Sequence, residues 1–325
     1  MKNNWKPSAS IKDLIKRAEI INNIRLFFLE KKILEVETPL LSQSTVTDIN
    51  LTPFETNYFF SEDNTNKLKL WLITSPEYHM KRLLAAKSGP IYQICRSFRN
   101  KEHGKHHNPE FTMLEWYQIS YSMKEFIDQI DLFFQKILKS KQSKKISYQE
   151  VFIKYLNIDP FSTNVAELYK ISKKFNLQHL TCSEKNLHIL IEILFTLVVE
   201  PLLGQENQPI FIYHFPIEQA SLAAKNHKDN RFAERFEIFF KGMEIGNGFY
   251  ELTNYLENKK RLINDNKSRK KMNLPIRKID DNFLNAIKHG LPVCSGVAIG
   301  IDRLIMIALK KKSIDEVISF SFDRC

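Results

Sequence analysis

The stretch from Cys95 to Tyr117, CRSFRNKEHGKHHNPEFTMLEWY, holds the side chains best suited to chemistry. Its polar loop carries Arg99, lysines and three histidines, and the β-type run that leaves the loop carries Glu115 and Tyr117. Arginine offers a fixed fork of donors that matches phosphate oxygens. A carboxylate and a phenol on one strand face can instead hold an ammonium group. We therefore predict a hairpin that binds an anion and a cation side by side, with a solvated surface hairpin as the alternative.

Carboxylates also lie inside two apolar β-type runs further along the chain. Glu237 belongs to AERFEIFF, and the next run carries Glu244, Asn247 and Glu251. Carboxylates are depleted from strands and are costly to bury without a partner. The pattern predicts a cationic partner, either Mg²⁺ shared with nucleotide phosphates or a substrate ammonium group. Edge-strand carboxylates that face water are the alternative.

A glycine-containing strand near residue 300 turns directly into a helix. In CSGVAIGIDRLIMIAL, Gly296 and Gly300 let the backbone approach a ligand closely, and the helix begins near Asp302 and Arg303. A helix N-terminus with a flanking arginine favours a phosphate. Taken alone, this string is weak evidence for a nucleotide site.

A further helix start is predicted at SPEYHMKRLLAA. Ser75 is placed as the N-cap, Pro76 at the first helical position and Glu77 in the first turn. An acidic residue in the first turn interacts favourably with the helix dipole. Capping alone therefore explains Glu77 as well as contact with a bound cation does.

Hydrophobic periodicity predicts the elements that precede these motifs. A long amphipathic helix follows Ser10 as its cap. A strand in KKILEVETPLL meets Pro39, which cannot donate to a ladder and so fits a strand end or edge. Two further strands are predicted at 51–60 and 67–74, with the polar loop 61–66 between them.

The middle of the chain has a different character. The segment at about 122–208 is predicted to be a helical insertion without a catalytic cluster, and His188 within it a packing histidine. The two β-type runs that contain the carboxylates are joined at Lys241 and Gly242. Two polar helices are predicted between those runs and the glycine-containing strand.

The composition of the 325 residues, 43% hydrophobic and 26% charged, is typical of a globular protein. A net charge of +11 favours a polyanionic partner, although a bias toward Lys, Asn and Ile accounts for part of it. The four cysteines are far apart with no CxxC pair, which favours a reducing compartment over a zinc site or disulfides. Because no signal segment and no apolar run of about 18 residues is present, we expect a cytoplasmic protein without a membrane partner.

The order of the motifs resembles that of class II aminoacyl-tRNA synthetases. LEVETP, TSPEYHMKRL, FRN, HNPEFTMLEWY, ERFE, MEIGNGFYEL and GIDR are similar to strings of the lysine-specific branch, from about Ile11 onward. The resemblance implies an α+β fold, a mostly antiparallel sheet flanked by helices, as one catalytic domain over 1–325 with the helical insertion. Only about ten residues precede the first predicted helix, so no anticodon-binding barrel is expected before it.

The chain also resembles the truncated lysyl-tRNA synthetase paralogues that modify translation elongation factor P, including at WKPSASIKDLIKRA. This resemblance implies ATP-dependent activation of (R)-β-lysine, or lysine, as an aminoacyl-adenylate and its transfer to a lysine of elongation factor P. It further implies ATP and Mg²⁺ as cofactors, a homodimer formed through the first helix and the Pro39 strand, and no tRNA partner. A minimal tRNA-charging enzyme and a catalytically silent lysine or ATP sensor are the alternatives.

The resemblance also implies roles for individual residues. Arg99 would grip the α-phosphate of ATP, Arg303 would neutralise the γ-phosphate end, and Glu237 and Glu244 would hold Mg²⁺. Arg99, Arg303 and Glu244 are the predicted catalytic residues. The predicted ATP contacts are Arg99, Asn100, Lys101, Asn108, Glu244, Ile245, Gly300 and Arg303. The predicted substrate contacts are Ser75, Pro76, Glu77, Glu115, Tyr117, Asn247, Glu251 and Ala298.

Two positions depart from the synthetase pattern. The synthetases have Glu two residues after the hairpin arginine, but this chain has Lys101 there and Glu102 one place later. We predict that Glu102, or a backbone group, replaces the missing contact. Ala298 stands where lysyl-tRNA synthetases have Gly, and its methyl group is predicted to reshape the amino-acid pocket toward a β-amino acid.

Overall fold

The computed structural model describes residues 5–62 and 66–325, and these form two compact units. The first unit comprises Met1–Phe126, Ser221–Ala224 and Phe249–Cys325, and the second comprises Ile127–Ala220 and Lys225–Gly248. The strands are β1 (Leu34–Glu35), β2 (Leu41–Ser42), β3 (Glu55–Phe59), β4 (Lys67–Leu72), β5 (Ile91–Phe98), β6 (Glu110–Ile119), β7 (Lys144–Ser147), β8 (Ile210–Tyr213), β9 (Arg235–Phe240), β10 (Met243–Tyr250) and β11 (Cys294–Gly300). The α-helices are α1 (Ile11–Glu30), α2 (Glu77–Ala85), α3 (Met123–Leu138), α4 (Tyr148–Leu156), α5 (Val165–Lys174), α6 (Gln178–Thr181), α7 (Leu187–Leu194), α8 (Tyr255–Lys271), α9 (Asp281–Gly290) and α10 (Ile301–Ala308).

The predicted N-terminal helix is confirmed as α1. Ser10 caps it, because its hydroxyl accepts a hydrogen bond from the Asp13 amide at 3.1 Å. Its buried face includes Phe27 and Phe28, which pack edge-on against Trp116 of β6. The helix therefore covers the strands that carry the predicted site.

In the first unit, four strands lie in the order β1-β5-β6-β11. The predicted hairpin is confirmed, since β5 and β6 pair antiparallel and β6 also pairs antiparallel with β11. Glu115 lies opposite both Gln93 and Ala298, and Tyr117 lies opposite Gly296. Directly opposite residues share a face of the sheet, so these residues form two adjacent rows on one face.

The strand predicted in KKILEVETPLL is shorter than expected. It is interrupted around Pro39, leaving β1 and β2 as two separate two-residue strands, because proline cannot donate to a ladder. β2, β4 and β3 form a separate antiparallel sheet, which confirms the strands predicted at 51–60 and 67–74. The predicted loop 61–66 lies partly outside the described residues, as does the beginning of the N-terminal segment.

The start of α2 differs by one residue from the prediction. Pro76 rather than Ser75 is the N-cap, and the Ser75 hydroxyl lies 3.5 Å from the Glu77 amide, too far for an effective cap. The strand-to-helix turn at the end of β11 is as predicted. Gly300 is the N-cap of α10, which follows without a connecting loop.

The second unit contains strands in the order β10-β9-β8-β7, with β10 included as far as Gly248. The predicted turn between β9 and β10 is confirmed, and both Lys241 (φ 53°) and Gly242 (φ 69°) are left-handed, as a primed two-residue hairpin turn requires. A core that includes Tyr148, Phe152 and Phe195 holds α4, α5 and α7 against these strands. The segment 122–208 is largely helical, and its assignment as an insertion in a single domain stays a prediction.

Two features of the second unit were not predicted correctly. His188 is exposed in the first turn of α7, so its interpretation as a packing histidine is wrong. The strand β7 was missed. It pairs parallel with β8, whereas most strand pairs of the molecule are antiparallel. The predicted mostly antiparallel α+β fold flanked by helices is confirmed.

All four cysteines are free. Among the residues that the structure describes, no helix is long and apolar enough to cross a membrane.

Candidate active site

In the first unit, a pocket rich in carboxylates surrounds the face of β6 and β11 described above. We call Glu77, Glu115, Tyr117, Glu251 and Lys81 the carboxylate pocket. Glu115 and Glu251 are 2% and 3% exposed. The structure thus brings together four predicted substrate residues that are separated by up to 174 positions in the sequence, from Glu77 to Glu251.

The register of the strands positions the pocket side chains. The Tyr117 hydroxyl donates to Glu115 Oε1 at 2.7 Å, which fixes the orientation of that carboxylate. Gly296, opposite Tyr117, makes room for its neighbours, because a Cβ at this position would lie 2.5 Å from Glu251 Oε1 and strike the Tyr117 ring. Ala298 lies opposite Glu115, so its methyl group points to the same face as that carboxylate.

The electrostatics of the pocket favour a bound cation. Burial, together with the charge of Glu77, raises the pKa of Glu115 to about 8. Burial raises the pKa of Glu251 to about 7, against the lowering effect of Lys81. Glu115 Oε2 is buried and has no hydrogen-bond partner among the described residues. An ammonium group placed there would satisfy this oxygen and stabilise the ionised carboxylate.

Lys81 was missed by the sequence reasoning. Its Nζ lies 2.6 Å from Glu77 Oε1 and 2.6 Å from Glu251 Oε2, and the side chain is 1% exposed. Burial acts to lower the pKa of Lys81, but the charges of Glu251 and Glu77 outweigh burial and raise it. The spacing of four between Glu77 and Lys81 on a predicted helix was the available signal for this ion pair.

Arg99 lies where the hairpin strand β5 ends. Its guanidinium stacks over the Phe111 ring at 5.1 Å, and its Nη1 lies 3.8 Å from Glu102 Oε2. Arg99 Nε is buried and has no hydrogen-bond partner within the described part of the chain. Lys101 is exposed with a left-handed backbone (φ 70°), and this turn brings the next residue, Glu102, back toward Arg99. Replacement of the family glutamate by Glu102 stays a prediction.

The predicted asparagines of the hairpin make contacts within the protein. The backbone N–H of Asn100 donates to the Thr52 carbonyl at 2.7 Å. Asn108 Nδ2 donates to the Glu110 carbonyl at 2.7 Å, and its Oδ1 accepts from the Phe322 amide at 3.0 Å. Asn108 therefore connects the hairpin to the C-terminal segment, and its contact with ATP stays a prediction.

Arg303 connects α10 to the hairpin tip. Its Nε donates to the His106 carbonyl at 3.2 Å, and its Nη2 lies 2.6 Å from His107 Nε2. A Cβ at Gly300 would lie no closer than 3.8 Å to Arg303, so packing within the protein does not require glycine there. Close approach of the Gly300 backbone to a ligand stays a prediction.

The second unit holds the predicted metal ligands. Glu237 on β9 is buried and paired with Arg235, which also donates to Asn247 Oδ1 at 3.3 Å. Burial raises the pKa of Glu237 to about 8, and Glu244 adds to this while Arg235 lowers it. The effect of Glu244 on Glu237 shows that the two carboxylates interact, and such a pair fits a divalent cation, because Mg²⁺ prefers one or two carboxylates with phosphates completing its coordination. Ile245 is buried beside Glu244 in the chain.

Comparison with known proteins gives a consistent result. The family model of class II tRNA synthetases (D, K and N) matches residues 5–324. The chain is 67% identical over 324 residues to the elongation factor P–(R)-β-lysine ligase of Buchnera aphidicola subsp. Schizaphis graminum (strain Sg), covering 100% of both chains. It is 68% identical over 321 residues to the protein of that name from Buchnera aphidicola subsp. Acyrthosiphon pisum (strain Tuc7), covering 99% of this chain and 98% of the relative. For that of Pectobacterium carotovorum subsp. carotovorum (strain PC1) the identity is 50% over 320 residues, covering 98% of each.

Proposed function

Because this chain belongs to the class II tRNA synthetase family (D, K and N), we propose that it is an ATP-dependent ligase that attaches (R)-β-lysine to a lysine of elongation factor P. The names of three highly similar relatives support this reaction. The observation that carries the proposal is the carboxylate pocket. Three carboxylates, with a buried Glu115 oxygen that has no hydrogen-bond partner in the described part of the chain, suit a substrate with ammonium groups.

The first step of this reaction needs no protein nucleophile. The substrate carboxylate oxygen bonds to the α-phosphorus of ATP, and the bond from that phosphorus to the pyrophosphate oxygen breaks. The products are an aminoacyl-adenylate and pyrophosphate. The protein must chiefly hold the two reactants in line and stabilise phosphate charge. Arg99 and Arg303 suit that task because the guanidinium group pairs with phosphate oxygens in a fixed geometry.

Glu237 and Glu244 would hold Mg²⁺, which neutralises phosphate charge when it is bound. Asn100, Lys101, Asn108, Ile245 and Gly300 complete the proposed ATP contacts. Ser75, Pro76 and Ala298 join the carboxylate pocket as proposed amino-acid contacts, and Asn247 is a further proposed amino-acid contact. In the second step, the amine of an elongation factor P lysine attacks the adenylate carbonyl carbon. An amide bond forms, AMP leaves, and the amine releases a proton.

Recognition of ammonium groups explains selectivity for lysine-type substrates. A site that satisfies buried polar groups with a substrate group rejects analogues lacking it by about 10⁴-fold or more. Shape alone discriminates far less, about 10- to 200-fold for a methylene group. The buried oxygens of Glu115 and Glu251 therefore select more strongly than the apolar parts of the pocket.

We also propose a homodimer in the cytoplasm. Leu26 and Leu29 on α1, Leu34 on β1 and Leu41 on β2 are exposed apolar side chains on the elements that the resemblance assigns to the subunit contact. Their exposure leaves them available for such a contact. The free cysteines agree with a reducing compartment. Analytical ultracentrifugation should give a particle of twice the chain mass, and a monomer at all concentrations would contradict the dimer.

An acceptor assay tests the proposed function. The protein is incubated with ATP and labelled lysine or (R)-β-lysine, with either total tRNA or elongation factor P. We expect label on elongation factor P, most strongly with (R)-β-lysine. Label mainly on tRNA would support the tRNA-charging alternative. Absence of amino-acid-dependent pyrophosphate exchange would support a catalytically silent sensor.

A further inference from the structure

Lys81 lies within the carboxylate pocket, and none of the roles assigned above uses it. Its Nζ contacts two carboxylates, one on its own helix and Glu251 from a distant part of the chain. Lysine is almost never fully buried unless it is paired, because the ammonium group loses its hydration. Its position is therefore explained by the carboxylates that it contacts.

The Lys81 ammonium group changes the net charge of the carboxylate pocket. Glu77, Glu115 and Glu251 contribute three negative charges when ionised, and Lys81 contributes one positive charge, so the sum is two negative charges. A lysine-type amino acid carries two ammonium groups. With Lys81 included, the charge of the carboxylate pocket is therefore equal and opposite to that of the two ammonium groups of the substrate.

We propose that Lys81 is a positioning and specificity-determining residue, whose ammonium group holds Glu77 and Glu251 in place and adjusts the pocket charge to a substrate with two ammonium groups. This inference rests on the proposed function and deepens it, because it assigns the origin of selectivity for diamino acids. Lys81 acts through the two carboxylates, since its Nζ lies 2.6 Å from an oxygen of each.

A change of pH separates this role from a structural one. Lys81 lowers the pKa of Glu251, which burial would otherwise raise further. Without Lys81, Glu251 would be protonated near neutral pH and would attract an ammonium group poorly. The titratable groups that face Glu251 are Lys81 and Glu77 on α2, Glu115 and Tyr117 on β6, and Cys294 on β11.

The test uses the Lys81→Met variant of the full chain, in which a long side chain without charge replaces lysine. Amino-acid-dependent pyrophosphate exchange gives KM for (R)-β-lysine and for ATP from about pH 6 to about pH 9. We expect KM for the amino acid to rise about 30-fold at pH 7, equivalent to about 2 kcal/mol, with KM for ATP unchanged. The ratio of the KM of Lys81→Met to the wild-type KM should fall as pH rises, because Glu251 of the variant then ionises.

Lys69→Met is the matched control. Lys69 on β4 also pairs with a carboxylate, Glu55 at 2.8 Å, but its side chain is 57% exposed. Loss of an exposed pair changes little. Lys69→Met should therefore keep the wild-type KM values at every pH.

A double variant, Lys81→Met with Glu77→Gln, removes one charge of each sign and restores the sum of two negative charges. It should bind (R)-β-lysine more tightly at pH 7 than Lys81→Met does, or fold where Lys81→Met does not. A wild-type KM and pH profile for Lys81→Met would overturn the inference, and so would unfolding of both variants. If the wild-type protein shows no amino-acid-dependent exchange, the proposed function itself fails.

Discussion

Replacing Gly296 with alanine adds one methyl group where Tyr117 and Glu251 converge, and we expect this change to weaken amino-acid binding. The added Cβ would lie 2.5 Å from Glu251 Oε1, well inside van der Waals contact. The backbone of Gly296 is not left-handed, so alanine causes no backbone strain. The effect must therefore come from displacement of the two pocket side chains.

The size of the effect follows from the cost of overpacking. Adding a methyl group to a well-packed site costs about 1–3 kcal/mol. If the carboxylate moves and this cost falls on substrate binding, KM for (R)-β-lysine rises about 5- to 150-fold. Pyrophosphate exchange at saturating ATP measures this KM, and thermal denaturation checks that the variant is folded.

Gly300→Ala is the control on the same strand and face. A Cβ there meets nothing closer than Arg303 Cδ at 3.8 Å, an ordinary contact. Because Gly300 is proposed to face ATP, we expect a higher KM for ATP and an unchanged KM for the amino acid. If Gly296→Ala keeps KM for the amino acid within about twofold of wild type, a difference below about 0.5 kcal/mol, the described geometry of the pocket is refuted.

Three further predictions concern neighbouring residues. The pKa of Glu115 is raised to about 8, so the folded protein favours the protonated carboxyl. The contribution of Glu115 to the free energy of unfolding is therefore present at low pH and is lost as pH rises toward 8. Binding of a cation instead needs the ionised carboxylate. KM for (R)-β-lysine should therefore fall as pH rises from about 6 to about 8, and Glu115→Gln should raise KM and weaken that dependence, leaving the part that comes from Glu251, whose pKa is raised to about 7; a flat wild-type profile would contradict this reasoning. Ala298→Gly should raise activation of α-lysine relative to (R)-β-lysine by about 10-fold, since its methyl group shares the face of Glu115, and an unchanged ratio would exclude this role. Glu102→Ala should raise KM for ATP by up to about fivefold, the range of an ion pair near the surface, and an unchanged KM would show that Glu102 does not replace the family glutamate.

The hairpin and the strand-to-helix turn were predictable because their signals are local. Alternation of side chains and the polar loop determine β5 and β6, and a glycine at the junction determines the start of α10. The same alternation placed Glu115 and Tyr117 on one face. What makes that face a pocket is the arrival of Glu251 and α2, which only the tertiary structure shows.

The misses have physical reasons. The local sequence predicts an exposed helix residue at Lys81, because its second partner, Glu251, is distant in sequence. β7 contains two lysines, which lower strand propensity, and it lies at the end of the strand order, where edge strands tolerate lysine. His188 follows an asparagine cap whose Oδ1 accepts from its amide, so it belongs to an exposed first turn.

The rows that cross β5, β6 and β11 have a practical consequence for changing the substrate of this protein. Gln93, Glu115 and Ala298 form one row, and Ile91, Tyr117 and Gly296 form the next. Residues in contact change binding in a non-additive way. Combinatorial libraries should therefore vary all three residues of a row at once. We expect such libraries to yield new amino-acid specificities that are not found when neighbouring residues along one strand are varied.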